Sequence, residues 1–388
     1  MLSQHIGAVA VPLVAVGCDV KKGQLIAVCE GLGANIHSSV YGMVDEVSAD
    51  AITIKCVEHQ PDEYLKIKDT ASFLDAVKEA GIVGAGGAGF PAHVKFNVNL
   101  DGGCVILNAA ECEPTLLHNI QVLTDDADTI IRGMRYVMEM TNAAKGYVAV
   151  KAKNAAAVAA VKKACGGDDT IEIKLLPDAY PVGDERAILA EVLGVQLGPG
   201  QLPSAVGALV SNVETIKRVV EAIELRKPVI TKDFTVGGRL YDTHGKTGQV
   251  FLDQPIGAPI KKYIESCGGL IPPVGEIVLG GAFTGARGNE DSVITKLLGG
   301  IFAASPYPTA PLNFGILACE CGAQEERLRE IVTAMGGTVV AEKKCKRMIE
   351  HNGRWRCAKP GACPGQAEIA LALKMEGAEA SLVGACED

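Results

Sequence analysis

Two stretches of this 388-residue sequence carry residue types and spacings suited to chemistry. The first is Gly84-Ala-Gly-Gly-Ala-Gly89, which satisfies the G-x-G-x-x-G pattern whose glycines let backbone N–H groups come close to a phosphate. A dinucleotide fingerprint of the doubly wound type follows a strand and places a ribose-binding acid roughly 20 residues on. Here the preceding segment, Phe73-Leu-Asp-Ala-Val-Lys-Glu-Ala80, is helix-like. The acid at that distance, Asp101, opens a turn-like Asp-Gly-Gly, so the loop reads as a nucleotide-binding loop of another kind.

The second stretch is the cysteine-rich tail. Of 13 cysteines, seven are scattered (Cys18, Cys29, Cys56, Cys104, Cys112, Cys165 and Cys267), and six fall after residue 318 (Cys319, Cys321, Cys345, Cys357, Cys363 and Cys386). An odd count in a chain read as cytoplasmic points to reduced thiols, metal ligation or redox work rather than a disulfide framework. The tail reads as strand 312–318, helix 325–335, strand 338–341, a Cys-rich loop, helix 366–376 and strand 378–383. That places Cys319, Cys321, Cys345 and Cys386 at or just after strand carboxyl ends, and Cys363 just before a helix, whose N-terminus favours a thiolate. An Fe–S cluster, a dithiol/disulfide relay, a structural zinc site and simple packing of thiols all stay open for these residues.

Length alone predicts two to three domains. Lys plus Arg is 37 against 46 Asp plus Glu, a net charge of −9 with no long basic run, so nucleic acid is not an expected partner. With 48% hydrophobic residues and no strict repeat, disordered and collagen-like classes are excluded. No apolar run reaches the roughly 18 residues a bilayer span needs, so membrane association is expected to be peripheral at most. The apolar stretch from Ile6 to Val16 has no basic residue before Lys21 and contains Pro12, which is not the pattern of a cleavable leader.

The first 60 residues alternate short strand-like runs with turns (Leu13–Val16, Leu25–Val28, Val40–Val44, Ala51–Lys55) and resemble the barrel-sandwich fold of lipoyl carriers. A carrier needs a lysine on its exposed hairpin, and none occurs between Lys22 and Lys55, so the unit is expected to be a cap. From about residue 70, helix-like stretches (71–80, 118–140, 154–165, 184–193, 213–225) alternate with strand-like ones (104–107, 147–150, 171–176, 208–211), as a layered α/β sheet requires. Near residue 230 the pattern changes to Gly-rich strands enclosing a helix-like 258–267, and Pro306, Pro308 and Pro311 mark a linker.

Four segments carry a resemblance. Gly84-Ala-Gly-Gly-Ala-Gly-Phe-Pro91 with Lys95, Asn108-Ala-Ala-Glu-Cys-Glu-Pro114, Ala179-Tyr-Pro-Val-Gly-Asp-Glu-Arg186 and Ser211-Asn-Val-Glu-Thr215 are similar, in order and spacing, to the complex I flavin-subunit superfamily. Over about residues 1–300 the chain resembles RnfC-like proteins. The resemblance implies an α/β multidomain protein: a barrel-sandwich cap (1–65), a central FMN- and NADH-binding domain (66–228), a β-grasp-like (SLBB) unit (229–305) and a small Cys-rich α/β redox domain (306–388).

It further implies that Gly84, Gly86 and Gly87 approach the flavin and that Lys95 supplies charge beside it. Asn108, Glu111 and Glu113 would hydrogen-bond flavin or nicotinamide groups. Tyr180, Gly183 and Glu185 would line the nicotinamide side, Asn212 and Thr215 would hold the phosphate end, and Phe90 would stack on adenine. Glu113, Glu185, Cys319, Cys321 and Cys363 are the expected catalytic groups. Where RnfC proteins of membrane pumps carry two C-x-x-C-x-x-C-x-x-x-C-P runs for [4Fe–4S] clusters, this chain has neither. Its tail instead resembles that of RnfC-like proteins associated with D-proline reductase. The implied function is electron transfer from NADH through FMN and the tail cysteines, or an Fe–S cluster they hold, to a partner reductase. An Rnf-type membrane-complex entry subunit and a non-catalytic scaffold are the alternatives.

Overall fold

Four parallel strands, Cys104–Ala109, Lys145–Lys151, Ile171–Leu176 and Ala208–Asn212, form the central sheet of the computed structural model, which describes residues 1–87, 89–246, 248–361 and 363–384. The strand beginning at Ala208 pairs with the one beginning at Cys104, so the spatial order departs from chain order at that pair. Near-continuous apolar runs such as Val105-Ile-Leu107, all fully buried, are what a sheet covered on both faces demands.

Helices Ala127–Thr141, Ala155–Cys165 and Val213–Glu224 cover one face, where Ile130, Met134, Val161, Ile216 and Val219 pack against Val105 and Leu107. Helix Glu185–Leu193 covers the other through Ile188 and Leu189. The expected single helix over 118–140 is two, His118–Asp125 and Ala127–Thr141. Asp126 breaks it: its backbone leaves the helical region and its side chain accepts the Thr129 amide, capping the second helix.

The N-terminal cap is a pair of three-stranded sheets around Leu2, Val20, Ile26, Ala27, Ile36 and Val44. The hairpin that a carrier domain would expose is tied down instead, since the Ser39 hydroxyl donates to the Ile256 carbonyl and the Gln60 amide brackets Tyr41 at 2.9 Å on both its N–H and C=O. After the central domain comes a five-stranded mixed sheet (Thr231–Gly238, Gln249–Pro255, Ile277–Leu279, Ala286–Gly288, Gly300–Ala303) with helix Lys261–Ser266 against it. The tail is a parallel sheet in the order Thr338–Lys344, Asn313–Ala318, Ala380–Val383, with helices Glu325–Ala334 and Ala367–Met375. A hairpin, Met348–His351 with Arg354–Cys357, occupies the stretch read from sequence as loop. Among the described residues, no helix is long and apolar enough to cross a membrane.

Three hydrogen bonds tie the glycine loop and the turn before it to their surroundings. The Ile6 amide donates to the Gly89 carbonyl at 3.1 Å, and the fully buried Lys296 ammonium donates to the carbonyls of Asn35 (2.6 Å) and Gly81 (2.7 Å). With no anion beside it among the described residues, burial pulls the Lys296 pKa down to about 7.

Candidate functional site

Strand carboxyl ends at a reversal of strand order form a crevice by construction, because the connections leave in opposite directions there. In this sheet the reversal lies between strands Cys104–Ala109 and Ala208–Asn212, near whose carboxyl ends Asn108 and Asn212 are direct neighbours in register. A cavity of about 460 Å³ opens at that point. Ten of the thirteen expected cofactor-binding residues line it: Gly84, Gly86, Gly87, Phe90, Lys95, Asn108, Gly183, Glu185, Asn212 and Thr215. Such convergence of four distant segments is what distinguishes a site from a glycine-rich turn.

Each wall has a local cause. Gly86 takes φ +73°, a region that disfavours any side chain, and a Cβ there would meet the Asn212 amide nitrogen at 3.0 Å. At Gly87 a Cβ would meet nothing within 4 Å, so that face of the loop is open to a ligand. The Ala85 amide donates to Thr215 Oγ1 at 2.9 Å, pinning the loop to the first turn of helix Val213–Glu224. Asn212 caps that helix by accepting the Glu214 amide at 2.8 Å, which leaves the positive helix end beside the cavity, where an anion is favoured. Asn108 donates to the Gly183 carbonyl at 3.0 Å and accepts the Ala110 amide at 3.1 Å, so its role is to hold the 179–186 segment against the strand end. Across the opening, Lys95 Nζ and Glu185 Oε1 lie 2.8 Å apart and both are half-exposed, a pair that a ligand can reach.

Three expected residues lie elsewhere. Glu111 turns toward Asn119, accepting its amide at 2.9 Å and its side chain at 3.2 Å. Glu113 reaches the mixed-sheet unit, where it accepts from the amides of Phe283 (2.9 Å) and Thr284 (3.0 Å) and from the Thr284 hydroxyl (2.6 Å). Its two oxygens are occupied in clamping that loop, which places it outside the cavity rather than at a reacting atom. Tyr180 faces the tail, its hydroxyl donating to the Cys321 carbonyl, and burial raises its pKa.

Sequence reasoning missed Asp184, which lines the cavity and caps helix Glu185–Leu193 by accepting the amides of Arg186 (2.9 Å) and Ala187 (3.2 Å). An Asp immediately before an apolar-periodic run is an N-cap signal that was there to find. It also missed Cys112, whose sulfur accepts the Gly183 amide at 3.3 Å and whose thiol burial holds at about 11.

A second, smaller cavity of about 220 Å³ lies on the far side of the 179–186 segment, lined by Tyr180 and by Cys319, Cys321, Cys345, Cys357 and Cys363. The parallel pairing of Ala318 with Lys344 explains the first members: the next residue on each strand is a cysteine, and the Cys345 amide donates to the Ala318 carbonyl. The neighbouring Cys321 thiol, the largest influence, brings the Cys319 pKa down to about 6 against the opposing effect of burial, while Cys321 is pushed up by Cys319 and by burial. Five of the six cysteines expected as ligands line this one cavity. Among the described residues no group of three or more His, Cys, Asp or Glu side chains is arranged to hold a metal ion. Cys357, at the end of its hairpin strand, is buried and lines the same cavity, and Cys386 lies outside the described residues.

The two cavities share a wall. Arg186 donates to the Cys357 carbonyl at 2.7 Å and to Glu320 at 2.9 Å, and Glu320 also accepts from Arg356 at 2.6 Å and from the Cys357 amide. Burial works against ionisation of Glu320, but these donors keep its pKa below the ordinary value.

Comparison with known proteins bears on the N-terminal cap and the central domain. Residues 77–221 match the Nuo51 FMN-binding domain, and residues 1–59 match the RnfC barrel sandwich hybrid domain. The chain is 32% identical to one subunit of the Na(+)-translocating ferredoxin:NAD(+) oxidoreductase complex of Acetobacterium woodii, covering 73% of this chain and 67% of the relative. It is 34% identical to the corresponding subunit of the proton-translocating ferredoxin:NAD(+) oxidoreductase complex of Clostridium ljungdahlii (77% and 68%) and 35% identical to the cobalamin reductase PduS of Salmonella typhimurium (58% and 48%). An NAD+-reducing [NiFe]-hydrogenase structure shares the fold over 60% of this chain and 46% of its own, with a TM-score of 0.50 at 22% identity.

Proposed function

The chain belongs to the RnfC-like family of oxidoreductase subunits, residues 77–221 being its Nuo51 FMN-binding domain with FMN and NADH as the cofactors, and on that premise we propose that electrons pass from the larger cavity through the tail cysteines to a partner reductase. The observation that carries this reading is the convergence of ten expected residues on one crevice at the strand-order reversal, with the cysteine cavity directly behind it.

The residues present suit FMN. Gly87 leaves a face on which a flat ring is not obstructed, and Gly86 lets the loop turn back against Asn212. The end of helix Val213–Glu224 suits a phosphate. When bound, FMN accepts a hydride and gives up its electrons singly or in a pair. This chain's residues bind and orient. Lys95 sets a positive charge at the opening, with Glu185 holding its position. Asn108 and Asp184 fix the 179–186 segment so that the opening keeps its width. Phe90, at the rim, offers an aromatic face for the adenine of NADH.

In this reading the acceptor is a reductase of the proline reductase type, supported by tail thiols standing where the family's pump subunits carry ferredoxin runs, and the protein works in the cytoplasm. Fluorescence titration of the purified protein with FMN tests the binding step. One FMN per chain is expected, with affinity about tenfold weaker in Lys95→Ala, a loss of about 1.4 kcal/mol. Equal affinity in the variant contradicts the assignment.

A further inference from the structure

We infer that the tail is a two-pair thiol relay, with Cys319 and Cys321 as an inner pair against the flavin domain and Cys345 and Cys363 as an outer pair that reduces a disulfide on the surface of a partner protein. The inference rests on the proposed NADH-to-FMN reading for its electrons, but not for its cysteine pairing.

The sulfurs are laid out as a path rather than a cage. Cys321 meets the flavin domain, its carbonyl accepting the Tyr180 hydroxyl. Cys319 lines the same small cavity as Cys321 and Cys345, and the Cys345 amide donates to the Ala318 carbonyl at 2.9 Å, so Cys319 lies beside one member of each pair. Gln366 spans the outer pair, its Nε2 lying 3.3 Å from Cys345 Sγ and 3.7 Å from Cys363 Sγ. The Gln366 Oε1 is buried without a partner, so nothing else draws that amide away from the two sulfurs. The path ends at the surface: Cys319 and Cys321 are partly buried and Cys345 is buried, whereas the last thiol, Cys363, is exposed. A structural packing role would leave the last thiol inside, whereas a relay needs one at the surface. A tetrahedral site needs its thiolates converging on one point, an arrangement not found among the described residues.

The chemistry balances at each step. NADH oxidation releases two electrons and a proton, and with one further proton these open the Cys319–Cys321 disulfide to two thiols. The Cys319 thiolate attacks Cys345 of the outer disulfide and Cys363 leaves as thiolate. Cys321 then attacks Cys319, which restores the inner disulfide and frees Cys345. The Cys363 thiolate attacks the partner's disulfide, and Cys345 resolves the mixed disulfide by closing back onto Cys363. The sum is NADH, a proton and a protein disulfide going to NAD+ and a protein dithiol.

The test is disulfide mapping of the full chain. The flavin-loaded protein is oxidised, equilibrated anaerobically in dithiothreitol redox buffers, alkylated, digested and read by mass spectrometry. Two bridges are expected, Cys319–Cys321 and Cys345–Cys363, both opened by NADH as the flavin bands bleach. In Cys321→Ser, which removes the resolving thiol, a Cys319–Cys345 mixed disulfide is expected to accumulate. In Cys363→Ser, NADH-dependent reduction of Ellman's disulfide is expected to be lost. Tail thiols that stay fully alkylated after oxidation, or iron with acid-labile sulfide in stoichiometric amount, overturn the relay. Bridges that open in dithiothreitol while NADH leaves the flavin oxidised support the pairing and count against the electron source instead.

Discussion

Gly86 and Gly87 are neighbours that should answer the same substitution differently. Gly86→Ala forces a side chain into a left-handed backbone and against Asn212, so it is expected to cost about 1–3 kcal/mol of stability as well as FMN. Gly87→Ala meets no protein atom, so its Tm should stay within about 2 °C of the parent while FMN binding weakens. Thermal melts with and without FMN read both effects, and a Gly87→Ala protein that binds FMN normally removes the loop's open face from the site. Glu113 poses the complementary question. Because both its oxygens hold the Phe283–Thr284 loop, Glu113→Ala is expected to lower stability by about 1–3 kcal/mol while flavin reduction by NADH stays within a few-fold of the parent. A stable variant that no longer reduces flavin returns Glu113 to the reaction. These residues also mark what a sequence discloses at this scale. The glycine loop, Lys95, Asn108, Glu185 and Asn212 were legible because each sits inside a short motif with its own spacing. The destination of Glu113 was not, because its partners are about 170 residues away and no local pattern encodes that reach.

At the scale of elements, the joint between helix Val213–Glu224 and strand Thr231–Gly238 is a buried charge network. Arg218, 4% exposed, pairs with Glu214, Glu221, Asp233 and Asp253 at 2.8–3.2 Å, and Lys217, Lys227 and Lys232 complete the balance. Arg218→Met removes the one cation shared by all four carboxylates and leaves them with only the lysines, a buried cluster of net negative charge, so a loss of about 3–5 kcal/mol in equilibrium urea unfolding is expected. A loss under about 1 kcal/mol contradicts the account of this joint. Lys296 gives the pH dependence. Its folded pKa of about 7 lies below its unfolded value, so between about pH 7 and 10 the unfolded chain binds more protons and stability from this group rises with pH. Below pH 7 both states are protonated and the full burial cost is present. Lys296→Met should flatten the parent's rise, by on the order of 1 kcal/mol per pH unit, and parallel pH–stability curves for the two proteins contradict it. Element existence was largely legible from periodicity, including every strand of the central sheet. The break at Asp126 and the 348–357 hairpin were not. A single capping residue interrupts an otherwise continuous apolar stripe, and the hairpin's strands are too short and too charged to show alternation.

Across the whole molecule, the 179–186 segment is the shared wall through which the flavin domain touches the tail. Arg186 is its anchor, and Arg186→Ala removes the bonds to Glu320 and Cys357 without touching the larger cavity. Flavin reduction by NADH should then proceed as in the parent, whereas reoxidation through the tail should slow by about tenfold, as expected if about 1.4 kcal/mol of positioning is lost. Stopped-flow absorbance separates the two phases, and equal effects on both contradict the division of labour. The β-rich cap and the α/β domain after it were readable from the change of pattern near residue 70, but the docking of the units was not: it rests on side chains such as Ser39, Lys296 and Arg186 that look like ordinary surface residues until the fold brings their partners to them. The central claim is that NADH reduces a flavin held between the glycine loop and the ends of the two reversed strands. An anaerobic visible spectrum of the FMN-loaded protein, taken before and after NADH, tests it most directly. Bleaching of the flavin bands by one equivalent of NADH is the predicted result. A protein that takes up no FMN, or that holds flavin which NADH leaves oxidised, contradicts it.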